Sequence, residues 1–272
     1  MKIAFLIIIV SAHIYAQQSI NGIAGKMYSG ISESVGWQDI PVAIYMINQG
    51  SIYVKDNAKL FTLPAFGFDR SFQSGIGKSG RSSAGGMDQN TLPGLVLYSR
   101  AAYTIAMDIF SPESITKDDY KRLFLFYKTL TYTHVLTEAA KNLVDRQRPD
   151  NSDSRSFFSG HTAVTFAAAN FIYREVNDYI NTLPNYSENK LEYTGLKAAS
   201  FAVLYGWAGY VGYSRMYDNK HYLSDVLLGA AAGFIISNLI YNDYLSSENS
   251  LLHNFSLGML NNNPSLSLNL SF

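Results

Sequence analysis

The sequence has no cysteine among its 272 residues. Disulfide scaffolds, thiolate metal sites and cysteine nucleophiles are therefore excluded, and any nucleophile is an oxygen or a nitrogen. Charge of either sign in excess is also lacking: 21 Lys and Arg stand against 21 Asp and Glu, a net of 0 with the histidines neutral. Without a basic surplus, electrostatically driven binding of nucleic acid is excluded. No apolar run reaches the roughly 20 residues that a bilayer-spanning helix needs. The longest, Val226 to Ile236, has eleven residues between Asp225 and Ser237-Asn238 and reads as a buried core helix. Its Gly229 and Gly233 then suit close backbone packing inside a bundle. What is present suffices for a core: 47% of residues are apolar and 14% aromatic, which excludes disorder of the whole chain. The length allows one large domain or two small ones.

At the amino terminus, Lys2 is followed by an apolar run from Ile3 to Val10 and by small or polar residues at Ser11-Ala12 and Ala16-Gln17. This pattern predicts a secretory signal peptide over residues 1–16, cleaved after Ala16. Its removal takes away one base and no acid, leaving a net charge of −1. The expected location is outside the cytoplasm, in the periplasm or at the periphery of an outer membrane.

Apolar spacing predicts a helix over 37–48, opened by Asp39 and Pro41 and closed by Gly50. Longer helices are predicted at about 93–110, 118–147, 161–181, 194–217 and 221–244. The expected fold class is all-α, a bundle of close-packed helices. Residues 67–94 hold seven glycines among serines and other polar residues, a composition that predicts a long loop. Within it Gly77-Lys78-Ser79 has the ending of a phosphate-binding P-loop, but Phe72 stands where that motif requires glycine, so a nucleotide site is rejected. Near the end, Phe255, Leu257 and Met259 alternate with small or polar residues; after Asn261-Asn262-Asn263-Pro264, Leu266, Leu268, Leu270 and Phe272 do the same. Period two around a turn predicts a β-hairpin.

Three segments carry chemistry. In the first, Lys141 and Arg148 lie seven residues apart, two helical turns, so a helix presents both cations on one side. Pro149 disfavours helix at Arg148, which puts the arginine where helix gives way to loop. In the second, Ser159-Gly160-His161 opens a helix with Ser159 as N-cap, and free amides there form an anion site beside a histidine suited to proton transfer. In the third, Arg215 precedes His221 and Asp225. Their spacing of four puts the last two on one helical face, where the carboxylate holds one ring nitrogen and the other is presented as nucleophile or base.

Together the three segments resemble, in order and spacing, the signature of the type 2 phosphatidic acid phosphatase and vanadium-dependent haloperoxidase superfamily. The matches are Lys141-x6-Arg148-Pro149, then Ser159-Gly160-His161, then Ser214-Arg215-x5-His221-x3-Asp225. Phe158 replaces the proline that precedes Ser-Gly-His in that signature, removing a rigid turn residue but no phosphate donor. The resemblance covers about residues 95–245 and implies a helical bundle. It also implies that His221 attacks phosphorus, that Asp225 orients it, and that His161 protonates the leaving oxygen, with a phosphohistidine then hydrolysed by water. Lys141, Arg148, Ser159, Gly160 and Arg215 would hold the phosphoryl oxygens. Three cations and a helix terminus supply preorganised electrostatics for such a transfer, so no metal and no other cofactor is expected. Neutral His221 beside protonated His161 predicts a bell-shaped pH profile with an acidic to near-neutral optimum.

The leading expectation is a metal-independent phosphatase for phosphomonoesters or lipid phosphates, inhibited by vanadate. A haloperoxidase would use the same cage to hold vanadate as a cofactor; the modest size of the chain favours the phosphatase. A non-enzymatic outer-membrane protein is suggested by the terminal strand, but residues 1–250 offer too few alternating segments for a barrel. Nucleotide, sugar phosphate and lipid phosphate remain open as substrates, as does the oligomeric state. No nucleic-acid partner is expected, and the aromatic content suits a peripheral membrane contact. The expected organisation is a signal peptide (1–16), a helical and glycine-rich region (17–92), a catalytic core (93–247) and a hairpin (248–272).

Overall fold

The computed structural model describes residues 22–51, 59–78, 91–184, 186, 188–245, 255–260 and 263–268. The expected signal peptide and residues 79–90 of the expected loop lie outside them. Among the described residues eight α-helices form in chain order: α1 (Ile23–Ser32), α2 (Asp39–Ser51), α3 (Gly67–Ile76), α4 (Thr91–Phe110), α5 (Lys117–Leu143), α6 (Gly160–Asn181), α7 (Lys190–Tyr217) and α8 (Leu223–Tyr244). Strand β1 (Phe61–Thr62) pairs in parallel with β2 (Val144–Asp145), and β3 (Phe255–Leu260) pairs antiparallel with β4 (Asn263–Leu268), with Leu260 opposite Asn263. The all-α expectation and the terminal hairpin are both met.

Two expectations about elements are corrected. Residues 67–76, read as loop, are helix α3. Gly67 and Gly75 fall at or near its two ends, and Asp69 in its first turn accepts a hydrogen bond from the Phe66 amide at 3.1 Å. The predicted helix 118–147 stops at Leu143, where the chain turns into β2 and Lys59 Nζ donates to the Lys141 and Val144 carbonyls. Arg148 therefore projects from a loop and does not share a helix face with Lys141.

Contact density divides the chain into two units, residues 1–44 with 94–128 and residues 45–93 with 129–272. In the first, buried Asp108 binds Lys26 Nζ at 2.7 Å and the Tyr120 hydroxyl at 2.8 Å, and burial together with that carboxylate pushes the phenol pKa up. Lys128, also buried, donates to Asp39 and to the Ser34 carbonyl. This unit carries Trp37, half exposed.

The second unit is built around α6, which packs on α7 and α8. Its Ala163, Ala167, Ala168 and Ala169 are fully buried, and their small side chains let α8 approach closely. A Cβ on Gly229 would come within 2.6 Å of the Ser159 carbonyl oxygen, and one on Gly233 would run into the carbonyl of Ala163. Both positions therefore require glycine, as the close-packing reading expected. The reading of Val226–Ile236 as a buried helix is corrected: one side of α8 is inward, but Leu227, Leu228, Phe234 and Ile235 are between 43% and 57% exposed. Among the described residues α8 is the helix long and apolar enough to cross a membrane. Phe201, Val203, Tyr210 and Tyr213 of α7 are exposed as well. Trp207, half-buried on α7, belongs to this unit.

Candidate active site

All the residues singled out from the sequence fall in the second unit. Lys141 ends α5, Ser159 and Gly160 open α6 with His161 in its first turn, Arg215 lies in the last turn of α7, and Asp225 in the first turn of α8. His221 sits in the short connection from α7 to α8. There Asn219 adopts a left-handed φ of 55°, a conformation that Asn tolerates better than most residues. The turn brings the His221 amide to 3.2 Å from the Arg215 carbonyl, so nucleophile candidate and cation are tied through the backbone. Gln73 of α3 braces the turn by donating to the Asn219 side chain and to the Met216 carbonyl.

The imidazole of His221 is almost completely buried, and its Nδ1 lies 2.7 Å from the carbonyl oxygen of Ser156. A carbonyl only accepts, so Nδ1 carries the proton and Nε2 keeps its lone pair. This corrects the expectation that Asp225 holds the ring directly. Asp225 Oδ2 instead accepts from Ser156 Oγ at 2.6 Å and from the Tyr222 amide at 3.0 Å. The helix starts at Leu223, after the histidine, so the four-residue spacing does not place the two side chains on one helical face. The carboxylate thus reaches the ring indirectly, through Ser156 and the Tyr222 amide.

The phosphate-binding candidates are each held in place. Lys141 Nζ lies 3.0 Å from Glu138 Oε1, and Arg155 binds the other oxygen of Glu138 at 2.8 Å. Burial alone would raise the Glu138 pKa, but Lys141 and Arg155 outweigh it and hold it low. Arg148 Nε donates to Asp153 at 2.6 Å, and Arg215 lies 3.7 Å from Asp218. A Cβ on Gly160 would reach 3.3 Å from Lys141 Nζ, so the amides at the start of α6 and the lysine face the same space. Ser159 occupies the N-cap position, but its side chain makes no capping bond; its Oγ pairs with Thr162 Oγ1 at 2.8 Å.

Both histidines feel the same three cations. Burial first, then Arg215, Lys141 and Arg148, depress His161 to about 3. For His221, burial followed by Arg148, Arg215 and Lys141 lowers the pKa well below its ordinary value. Lys141 beside Gly160, Arg148 donating to the Lys220 carbonyl and Arg215 bonded to the His221 amide place the three cations around His161 and His221. An oxyanion placed there meets three positive side chains and a helix N-terminus.

Sequence reasoning missed a second, buried layer. Arg146 has no exposed side-chain surface and binds Asp69 Oδ2 at 2.6 Å and Ser224 Oγ at 2.8 Å. Its Nε faces Asp225 Oδ1 at 3.3 Å. Arg146 lay inside the first segment and Ser156 just ahead of the second, but Asp69 is 77 residues from its partner and gave no local signal beyond a position suited to a helix start.

Helical architecture and site together present a helical protein with three cations and two histidines around one buried place. Residues 122–247, a little under half of the chain, match the PAP2 superfamily. A curated relative, the lipid A 1-phosphatase of Porphyromonas gingivalis, is 36% identical over 106 residues, which is 39% of this chain; the match spans only a fifth of that relative's length. Two solved structures are similar. Aquifex aeolicus LpxE has 20% identity and a TM-score of 0.40, with 67% of this chain and 99% of that chain covered. The transmembrane PAP2-type phosphatidylglycerolphosphate phosphatase of Bacillus subtilis has 18% identity and a TM-score of 0.41, with 86% and 94% covered.

Proposed function

We propose that the protein is a phosphatase that hydrolyses a lipid phosphate through a phosphohistidine, without a metal. The observation that carries this reading is the convergence of Lys141, Arg148 and Arg215 on His161 and on a His221 whose Nδ1 is occupied. Nε2 of His221 attacks phosphorus as the bond to the leaving oxygen breaks, and His161 gives that oxygen its proton. Water then attacks the phosphohistidine, passing a proton back to His161, and inorganic phosphate leaves. The three cations and the α6 amides hold the equatorial oxygens as charge develops on them, which is the largest stabilisation such a site offers. A lipid substrate is supported by the name of the curated relative and by the exposed apolar sides of α7 and α8, which suit a membrane contact. An exported location fits the same reading.

The test is hydrolysis of phosphatidate in mixed micelles beside a water-soluble aryl phosphate, with and without chelator, and with vanadate. Expected are turnover that is indifferent to chelator, preference for the lipid, and competitive inhibition by vanadate acting as a five-coordinate mimic. Activity lost in chelator and restored by a divalent metal overturns the metal-independent mechanism, and failure on phosphatidate together with good turnover of the soluble ester overturns the lipid assignment.

A further inference from the structure

We propose that Asp69 and Arg146 are positioning residues for the reaction: a buried strut runs from Asp69 through Arg146 and Asp225 to Ser156 and fixes the ring of His221. The inference rests on the phosphatase reading for its kinetic readout but not for its structural one.

The strut is buried throughout: its joints at Asp69 and at Ser156 are hydrogen bonds, and Arg146 meets Asp225 as an ion pair with Nε 3.3 Å from Oδ1. Asp69 takes the Ser224 amide on Oδ1 at 2.9 Å, and on Oδ2 the Ser224 hydroxyl at 2.8 Å and Arg146 Nη2 at 2.6 Å. It thereby clamps the first turn of α8 to α3. Arg146 is enclosed by the rings of Phe66 and Tyr222, whose centroids lie 5.3 and 5.2 Å from its guanidinium carbon. From there its Nε faces Asp225, and Asp225 holds the Ser156 hydroxyl. Ser156 is bound on a second side by the backbone, its amide donating to the Arg146 carbonyl at 3.0 Å. Side chain and amide are thus both held, and the Ser156 carbonyl meets His221 Nδ1 at 2.7 Å.

The chemistry of the strut argues against a purely stabilising role. Side chains of Asp69, Arg146 and Asp225 have no exposure, so none of them touches a substrate. Removing three charges from water is costly, and apolar side chains of similar size commonly stabilise as well or better. Arginine does here what an apolar residue does not: its planar fork spans two carboxylates and a hydroxyl, linking α3 to the nucleophile connection.

The experiment compares wild type, Asp69→Asn and Arg146→Lys on a soluble aryl phosphate, a substrate that needs no membrane, and records the imidazole NMR resonances of His221. Expected in both variants is a fall in kcat of about 10-fold to 100-fold with KM within about 2-fold, since the phosphate-holding cations are untouched. Asp225 is faced by Arg146, Asp69, Tyr222 and Ser156; burial pushes its pKa up to about 6, and the Asp69 charge adds to that rise. Asp69→Asn should therefore move the acid limb of the kcat profile to lower pH, which a loss of general stability would not do. In the NMR arm, wild type should show a slowly exchanging Nδ1 proton and both variants a rapidly exchanging one. Should the single variants not fold, Ser224→Ala, which removes the hydroxyl that Asp69 and Arg146 both bind and leaves every charge of the strut paired, carries the same measurements. Unchanged kcat and a retained Nδ1 proton in folded variants overturn the strut. A wild type inactive on both the aryl phosphate and phosphatidate overturns the phosphatase reading instead, and the NMR arm alone then decides on the strut.

Discussion

At the scale of single residues, the proposed mechanism gives two histidines different duties. His221→Ala should abolish turnover while leaving the melting temperature close to wild type, because the ring's one hydrogen bond is to a carbonyl that water can serve; hydrolysis at the wild-type rate would end the phosphohistidine mechanism. Asp225→Asn should cost less activity than His221→Ala, since the nucleophile remains, but more stability: breaking a buried ion pair from one side costs about 3–5 kcal/mol. A variant as stable as wild type would show that Arg146 does not depend on Asp225. His161 poses a problem of sign. With a pKa near 3 it is neutral at any pH above about 4, yet a general acid must carry a proton. The cations that depress it are the ones a bound dianion neutralises, so the pKa should climb by more than one pH unit when vanadate or phosphate binds. An imidazole titration by NMR, with and without vanadate, checks this, and an unmoved pKa assigns the proton to another group. Much of this layer was legible in the sequence because Lys141, Arg148, Gly160, His161, Arg215 and His221 are spaced by local rules. The partner of His221 was not, because a backbone carbonyl has no signature among side chains and Asp225, at helical spacing from the histidine, drew the assignment instead.

At the scale of elements, the close pairing of α6 with α8 depends on two positions without side chains. Gly233→Ala forces a methyl against the Ala163 carbonyl, a backbone atom that has no rotamer to yield. Overpacking of this kind costs about 1–3 kcal/mol, so the melting temperature should drop by several degrees, and activity should fall with it because the start of α6 carries His161. An unchanged melting temperature would mean that the helices are free to separate. Helix existence was readable from apolar period, and the bounds of α4, α6, α7 and α8 fall within a few residues of expectation. Helix α3 escaped because composition was weighed without position: glycines at the ends of a helix leave its middle intact, and the same glycines counted over 28 residues resemble a loop. The end of α5 was also unreadable, since β1, some 80 residues earlier, is what captures the chain at Val144.

At the scale of the whole molecule, zero net charge meets a large apolar surface on α7 and α8. Attraction to membranes should therefore be hydrophobic and should survive salt, which screens charges over roughly 3 Å at 1 M. Co-sedimentation with neutral phosphatidylcholine vesicles at low and at 1 M salt should give similar bound fractions; release by salt would place the attraction in a local basic patch instead. The apolar character of α8 was visible in the sequence, but its inward and outward sides were not, because Gly229, Gly233 and Ser237 face inward there while Leu227, Leu228, Phe234 and Ile235 face out.

The division into two units has a practical consequence. Each unit holds one of the two tryptophans, Trp37 in the first and Trp207 in the second. Trp37→Phe leaves an emitter only in the unit that carries the histidines, and Trp207→Phe leaves one only in the other. Fluorescence melts of the two variants thus read the two halves of one chain separately and without an added dye, so that a substrate analogue that shifts one trace alone reveals which half it grips.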